Sequence, residues 1–269
     1  MRHLAEWLRA VGLAARNLLV GSNLAALSLL GRPRAMVGYA SEALFLLRAM
    51  QRARGLPESP VAHVLGGPEV QSITVANLHG ETWFGPIGSY AIDIASLCLL
   101  CRILKPSTVF EIGTLHGFTT LHFALNTPPD ATIYTLDLPK SGAPRPALST
   151  TVVDDDHIRA STVSSSYIFG DSPVAGKIKC LFGDSATFDF SPYHGRVGLF
   201  FIDGAHSYEY VRSDTLNALR CCAAGGVIAW HDFGRMGVNG VTRWLREMAG
   251  SGRTVYAVPG GSLAFMRLE

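Results

Sequence analysis

Five carboxylates in this chain stand at the ends of short apolar runs: Glu111, Asp137, Asp184, Asp203 and Asp232. The runs are Thr108 to Ile112, Ala131 to Leu138, Lys177 to Phe182, Val197 to Ile202 and Gly226 to Trp230. Rich in β-branched and aromatic residues, they read as buried strands. In an open α/β sheet, ligands bind beyond the carboxyl ends of the strands. One acid at such an end is ordinary, but five in register are hard to explain as surface decoration. Two histidines stand among them, His206 and His231. An imidazole, with an ordinary pKa near 6.5, can exchange protons at neutral pH.

The turn after the first run sets what these acids face. Glu111-Ile-Gly-Thr-Leu-His-Gly117 has the spacing E-x-G-x-x-x-G. Gly113 lets the chain turn sharply, and Gly117 opens a helix whose N–H groups can face a ligand. A dinucleotide fingerprint, G-x-G-x-x-G, lacks its second glycine here, so a dinucleotide fits poorly and a nucleoside fits better. Asp137 closes the second strand 20 residues after Gly117, where an acid accepts hydrogen bonds from ribose hydroxyls.

These residues need a scaffold, and the pattern supplies one. From residue 86 onward, helices expected over Ser89 to Leu104, Phe118 to Leu125, Tyr208 to Cys222 and Val241 to Ala249 alternate with the five strands, which implies a parallel sheet. Two further strands, Thr254 to Val258 and Ser262 to Arg267, are joined by the tight turn Pro259-Gly-Gly261. They add an antiparallel strand at the end. Between Asp137 and the third strand, residues 139–176 are rich in Ser, Thr, Pro and Asp without clear periodicity. That stretch reads as a lid, a substrate loop or a disordered insertion. Asp154-Asp-Asp-His157 within it is expected to be a solvated acidic patch.

Composition narrows the class. With 48% hydrophobic and 16% charged residues in 269, the chain can bury a large core. A net charge of +2 and the lack of basic runs argue against a nucleic-acid partner. The odd number of cysteines, Cys98, Cys101, Cys180, Cys221 and Cys222, in apolar settings suggests reduced thiols and a cytoplasmic protein. Cys98-x-x-Cys101 belongs to a core helix and lacks the second pair that a zinc site needs. Residues 1–85 read as a helical N-terminal extension. Arg2, Arg9 and Arg16 recur along one side of an amphipathic helix. It suits packing, homo-oligomer formation or peripheral contact with a membrane surface, and it is too short and too polar to span a bilayer.

The order of elements over residues 85–269 resembles the class I S-adenosylmethionine methyltransferase fold: a Rossmann-like, seven-stranded, mostly parallel sheet with an antiparallel last strand. Three segments are more specific: Gly183-Asp-Ser185, Phe201-Ile-Asp-Gly-Ala-His-Ser-Tyr-Glu-Tyr-Val-Arg-Ser-Asp214 and Gly225-Gly-Val-Ile-Ala-Trp-His-Asp-Phe233. Together they are similar to the small-molecule O-methyltransferase group called methyltransferase family 24, some of whose members carry the label cephalosporin hydroxylase. The resemblance implies S-adenosylmethionine as cofactor and a hydroxylated small molecule as acceptor, such as a sugar, glycolipid or polyketide. It implies that Asp184 or Ser185 meets the adenine and that Glu111 orients the turn or the methionine amine. The methionine carboxylate is expected near the backbone of Gly113, Thr114 and Gly117. Asp203 and Asp232 are implied as ligands of Mg²⁺ beside the cofactor, with His206 as the base. One departure stands out. Catechol-type enzymes place an acid and an amide after the fifth strand, whereas this chain has His231-Asp232. His231 then ligates a softer metal, acts as the base itself, or packs against Trp230. Tyr208, Tyr210 and Trp230 line an acceptor pocket or belong to the core. A methyltransferase-like protein serving as a structural or regulatory partner is the rival expectation.

Overall fold

The structure is a computed structural model. It describes residues 55–66, 70, 72–76, 88–139, 145–161, 167–235 and 238–269. The amphipathic helix expected near the N-terminus lies outside them.

In chain order the elements are α1 (Val61–Leu65), α2 (Gly88–Leu104), β1 (Thr108–Ile112), α3 (Phe118–Asn126), β2 (Thr132–Asp137), α4 (Val152–Ser161), β3 (Ile178–Phe182), β4 (Val197–Ile202), α5 (Tyr208–Cys221), β5 (Cys222–Trp230), α6 (Asn239–Gly250), β6 (Tyr256–Ala257) and β7 (Ala264–Arg267). The strands form one sheet in the order β3-β2-β1-β4-β5-β7-β6. The first five run parallel. β7 enters antiparallel between β5 and β6, as the hairpin signal implied.

The central strands are apolar along their whole length because helices cover both faces of the sheet. Alternate residues point to opposite sides. Val109, Leu199, Phe201 and Val227 pack with Ile94, Leu97 and Leu121 of α2 and α3. Their neighbours Phe110, Phe200, Ile228 and Trp230 pack with Val211 and Ala218 of α5 and Leu245 and Met248 of α6. The cysteine pair of α2 belongs to this core. Cys98 and Cys101 are fully buried, and burial pushes the Cys98 thiol up to about 12, so neither is a reactive thiolate.

Three features differ from the sequence reading. First, β5 starts at Cys222 rather than Gly226, and its pairing with β4 shifts register between Val197 and Leu199. Gly225, at φ +75°, and Gly226, whose Cβ would lie 2.9 Å from the Ala223 carbonyl, make this bulge possible. Second, the 139–176 stretch contains α4. Its start is a capping box: Thr151 N–H donates to Asp154 Oδ2 at 2.6 Å, and Asp154 N–H donates to Thr151 Oγ1 at 3.2 Å. Third, residues of the 1–85 extension join the sheet domain. Leu56 and Val61 lie in its core, and Thr74 exchanges backbone hydrogen bonds with the Asn126 amide of α3.

Candidate active site

The carboxyl ends of β1 to β5 enclose a cavity of about 540 Å³. Ile112 to Leu115, Asp137, Leu138 and Gly183 to Ser185 form one side of it. Val153, Asp154, His157 and Ile158 of α4, together with Asp203, His206, His231, Asp232, Arg235 and Val238, form the other.

On the first side the acids shape loops. Asp137 Oδ2 accepts from the Thr114 and Leu115 amides at 3.1 and 2.9 Å, while its Oδ1 accepts from the Leu138 amide at 2.8 Å. The carboxylate therefore holds the β1 turn in place at the edge of the cavity. Asp184 accepts from the Ala147 amide at 2.7 Å, the Ala186 amide at 2.9 Å and the Tyr210 hydroxyl at 2.9 and 3.0 Å. Behind its neighbour Ser185 lies the fully buried Asp214, whose carboxyl burial pushes up to about 7.

Gly113 adopts φ +93°, and a Cβ there would lie 2.1 Å from the Asp203 carbonyl oxygen. The turn thus demands glycine for conformation and for close approach.

Two expected cofactor residues lie elsewhere. Gly117 does not line the cavity; a Cβ on it would strike the Phe169 ring at 2.4 Å, so its work is to let that ring cover the start of α3. Glu111 is fully buried beneath the turn. Its Oε2 accepts from the Thr120 and Thr135 hydroxyls, and Thr135 in turn pairs with the Thr114 hydroxyl at 2.6 Å. Burial pushes its carboxyl up to about 8. Glu111 therefore supports Thr114 from below and does not reach into the cavity.

On the second side the acids pair with cations. His206 Nδ1 donates to Asp154 Oδ1 at 2.6 Å, and its Nε2 donates to Asp232 Oδ2 at 2.7 Å. Burial alone would depress this imidazole, but the two carboxylates push it up to about 10, so it is an imidazolium at neutral pH. His231 Nδ1 lies 3.2 Å from both Asp203 and Asp232, and its Nε2 lies 3.3 Å from Asp93. Burial disfavours its charge, yet the Asp203 and Asp232 carboxylates hold it well above its ordinary value. Asp232 also takes Arg235 Nη1 at 2.6 Å. Burial works against the Asp232 charge, but the surrounding cations keep its carboxyl well below the usual range. Asp232 sits at φ +63°, a left-handed conformation that Asp and Asn tolerate better than other residues with side chains.

His231 is enclosed by carboxylates, with Nδ1 facing Asp203 and Asp232 and Nε2 facing Asp93. It holds Asp203 and Asp232 in place. Trp230 behind it is fully buried, with its indole N–H on Thr215. Tyr210 reaches the cavity, whereas Tyr208 lies outside against Trp244 and Glu247.

Sequence reasoning missed two residues. Asp154, expected in a solvated patch, is 4% exposed and grips His206. The Thr151-x-x-Asp154 capping box was a legible signal that this segment folds. Asp93 of α2 is 1% exposed and faces His231, accepting also from the Ser262 and Leu263 amides at 2.8 and 3.0 Å. An acid inside the apolar stretch Ala91-Ile-Asp-Ile-Ala95 was its signal, since a fully buried acid is rare unless paired.

Asp203, His206 and Asp232 each offer a ligand atom, all within 4.8 Å of one another. Two carboxylates and an imidazole suit a divalent cation, with the imidazole favouring Mn²⁺ or a later metal over Mg²⁺.

Residues 110–233 match the family model described as "Methyltransferase domain", methyltransferase family 24. That match runs from within β1 to the residues after β5, the region that builds the cavity, and the strand order is that of the Rossmann-like methyltransferase fold. Solved structures with a similar fold include an O-methyltransferase of tomaymycin synthesis from Streptomyces achromogenes in complex with SAM, at 17% identity. There the match covers 82% of this chain and 90% of that one, with a TM-score of 0.45. They also include an O-methyltransferase from Bacillus cereus in complex with SAH, at 18% identity, 66% and 80% coverage and a TM-score of 0.47. A third is an SAH-bound methyltransferase from Podospora anserina, at 17% identity, 66% and 78% coverage and a TM-score of 0.47. No curated protein matches the sequence. Among the described residues, no helix is long and apolar enough to cross a membrane.

Proposed function

We propose that this protein transfers the methyl group of S-adenosylmethionine to a hydroxyl of a small molecule. The observation that carries the reading is the continuity of the cavity. One wall is the glycine turn with Asp137 and Asp184, suited to a nucleoside; the other is a charge-dense cluster of acids and imidazoles. A methyl donor on the first wall would present its sulfonium to an acceptor on the second.

In the transfer the acceptor oxygen forms a bond to the methyl carbon, the carbon–sulfur bond breaks with its electron pair going to sulfur, and the hydroxyl proton must leave. In this reading His206 takes that proton, as a neutral ring: its own Nε2 proton first leaves to solvent and Nε2 parts from Asp232, so that its lone pair can accept the hydroxyl proton. Asp203 and Asp232 are the residues that would hold a divalent cation, Mg²⁺ or Mn²⁺, with His231 and Arg235 fixing their orientation. Such a cation, when bound, lowers the pKa of a coordinated hydroxyl. Orienting the acids and excluding water falls to the protein itself.

Calorimetric titration with S-adenosylhomocysteine, with and without Mg²⁺ or Mn²⁺, tests this reading. The expected result is micromolar binding of the nucleoside. An absence of heat under every condition would sink the methyl-transfer reading and favour a non-catalytic partner built on the same fold.

A further inference from the structure

The carboxylate of Asp154 divides its work between two elements that are distant in sequence. Oδ2 closes the capping box with the Thr151 amide. Oδ1 accepts from both the backbone N–H of His206, at 2.9 Å, and its ring Nδ1, at 2.6 Å. A cap needs only the first oxygen. Burying a carboxylate is costly unless its lone pairs are met, and here the second oxygen is met entirely by one histidine. Nothing else among the described residues fixes that ring from the Nδ1 side.

Fixing Nδ1 determines what Nε2 can do. With Nδ1–H held by Asp154, a neutral His206 carries its lone pair on Nε2, which faces Asp232 and the cavity. A buried acid on the far nitrogen of an imidazole selects the tautomer and rotation of the ring, whether the near nitrogen then takes a proton or meets a metal. The same segment is pinned a second time, through the Ala147 amide on Asp184. Folding of the 145–161 segment therefore sets the histidine and touches the cofactor wall together.

We infer that Asp154 is the positioning residue of His206, delivered by the insertion between β2 and β3. Its effect on rate rests on the methyl-transfer reading; the contact itself does not.

The experiment is histidine side-chain NMR on the full chain labelled at histidine nitrogen, with His206 assigned by the signal lost in His206→Gln. Wild type is expected to show a slowly exchanging, strongly downfield Nδ1–H for His206. Asp154→Asn should move that resonance, and Thr151→Ala, which removes only the Thr151 Oγ1 half of the capping box, should leave it in place. In turnover assays, Asp154→Asn should lower kcat by about 100-fold or more, with KM and S-adenosylhomocysteine affinity changed less than about threefold. Thr151→Ala should keep kcat within about threefold. A wild-type His206 without a hydrogen-bonded Nδ1–H overturns the inference. So does a Thr151→Ala loss of kcat equal to that of Asp154→Asn, which would reduce Asp154 to a helix cap. Failure of wild type to bind S-adenosylhomocysteine would sink the proposed function and leave the NMR result to decide Asp154.

Discussion

The two sides of the cavity use the same residue type at the same place in the sheet for different physical ends. At β2 and β3, Asp137 and Asp184 are surrounded mainly by backbone amides. At β4 and β5, Asp203 and Asp232 are surrounded by His206, His231 and Arg235. Amides fix shape with partial charges, and a carboxylate among them keeps capacity for a neutral ligand's hydroxyls. Full cations instead compensate a concentration of negative charge that a buried site could not otherwise hold. A strand-end acid is therefore read by what donates to it, and the donors here divide the cavity into two walls, which the proposed function makes a binding wall and a reacting wall.

The sharpest way to break that division is Asp232→Asn. Asparagine keeps the left-handed backbone but removes the charge that His206, His231 and Arg235 share. Turnover is expected to fall by about 10²–10³-fold with S-adenosylhomocysteine affinity nearly unchanged, checked by initial rates beside calorimetry. Loss of affinity to the same degree would merge the two walls into one. On the other wall, Asp137→Ala should release the Thr114 and Leu115 amides and weaken S-adenosylhomocysteine binding by about 10–100-fold. Rates at saturating cofactor should change far less, which a kcat-against-KM comparison reads directly.

A gentler test uses pH. His206 titrates at about 10 in the fold and 6.5 when exposed. Its contribution to stability is full below 6.5 and is lost as pH rises toward 10, because the folded state then holds the extra proton. Glu111, raised from 4.5 to about 8, and Asp214, raised from 3.8 to about 7, push in the same direction, since each carboxylate ionises more readily once unfolded. The Asp154 and Asp232 carboxyls, both lowered, lose their contribution only as the medium turns acidic. Melting temperature should thus peak on the mildly acidic side of neutrality and decline steadily toward pH 10. His206→Gln should flatten the upper part of that decline. A profile that rises from pH 7 to 10 would contradict the charge-paired account of the reacting wall.

Much of this could be seen in the chain before folding. The five parallel strands, the antiparallel hairpin and the strand-end acids follow from apolar runs, turn residues and the positions of the acids, all of which are local signals. Gly113 was legible as a turn residue, though the reason it tolerates no side chain, the Asp203 carbonyl at 2.1 Å from a Cβ, was not. Asp154 and Asp93 were missed because their partners lie far away in sequence, 52 residues off at His206 and 169 at Ser262. Periodicity reports which face of an element is buried, and it is silent on what meets that face. Glu111 orients the turn through Thr135 and Thr114, one of the two roles expected of it, while Gly117 faces the Phe169 ring rather than the cavity.

The hairpin between β6 and β7 bears on the order in which the protein can become competent. Its turn brings Gly261 so close that a Cβ would fall 2.0 Å from Asp93 Oδ1, and it delivers the Ser262 and Leu263 amides to the same carboxylate. Asp93 in turn faces His231, which pairs with Asp203 and Asp232. During synthesis, the strands of the binding wall are all made by Phe182, while the reacting wall waits for Ser262 and Leu263. The acids at β2 and β3 therefore meet their partners in chain made earlier, whereas the imidazoles and acids at β4 and β5 are completed only when the last hairpin docks.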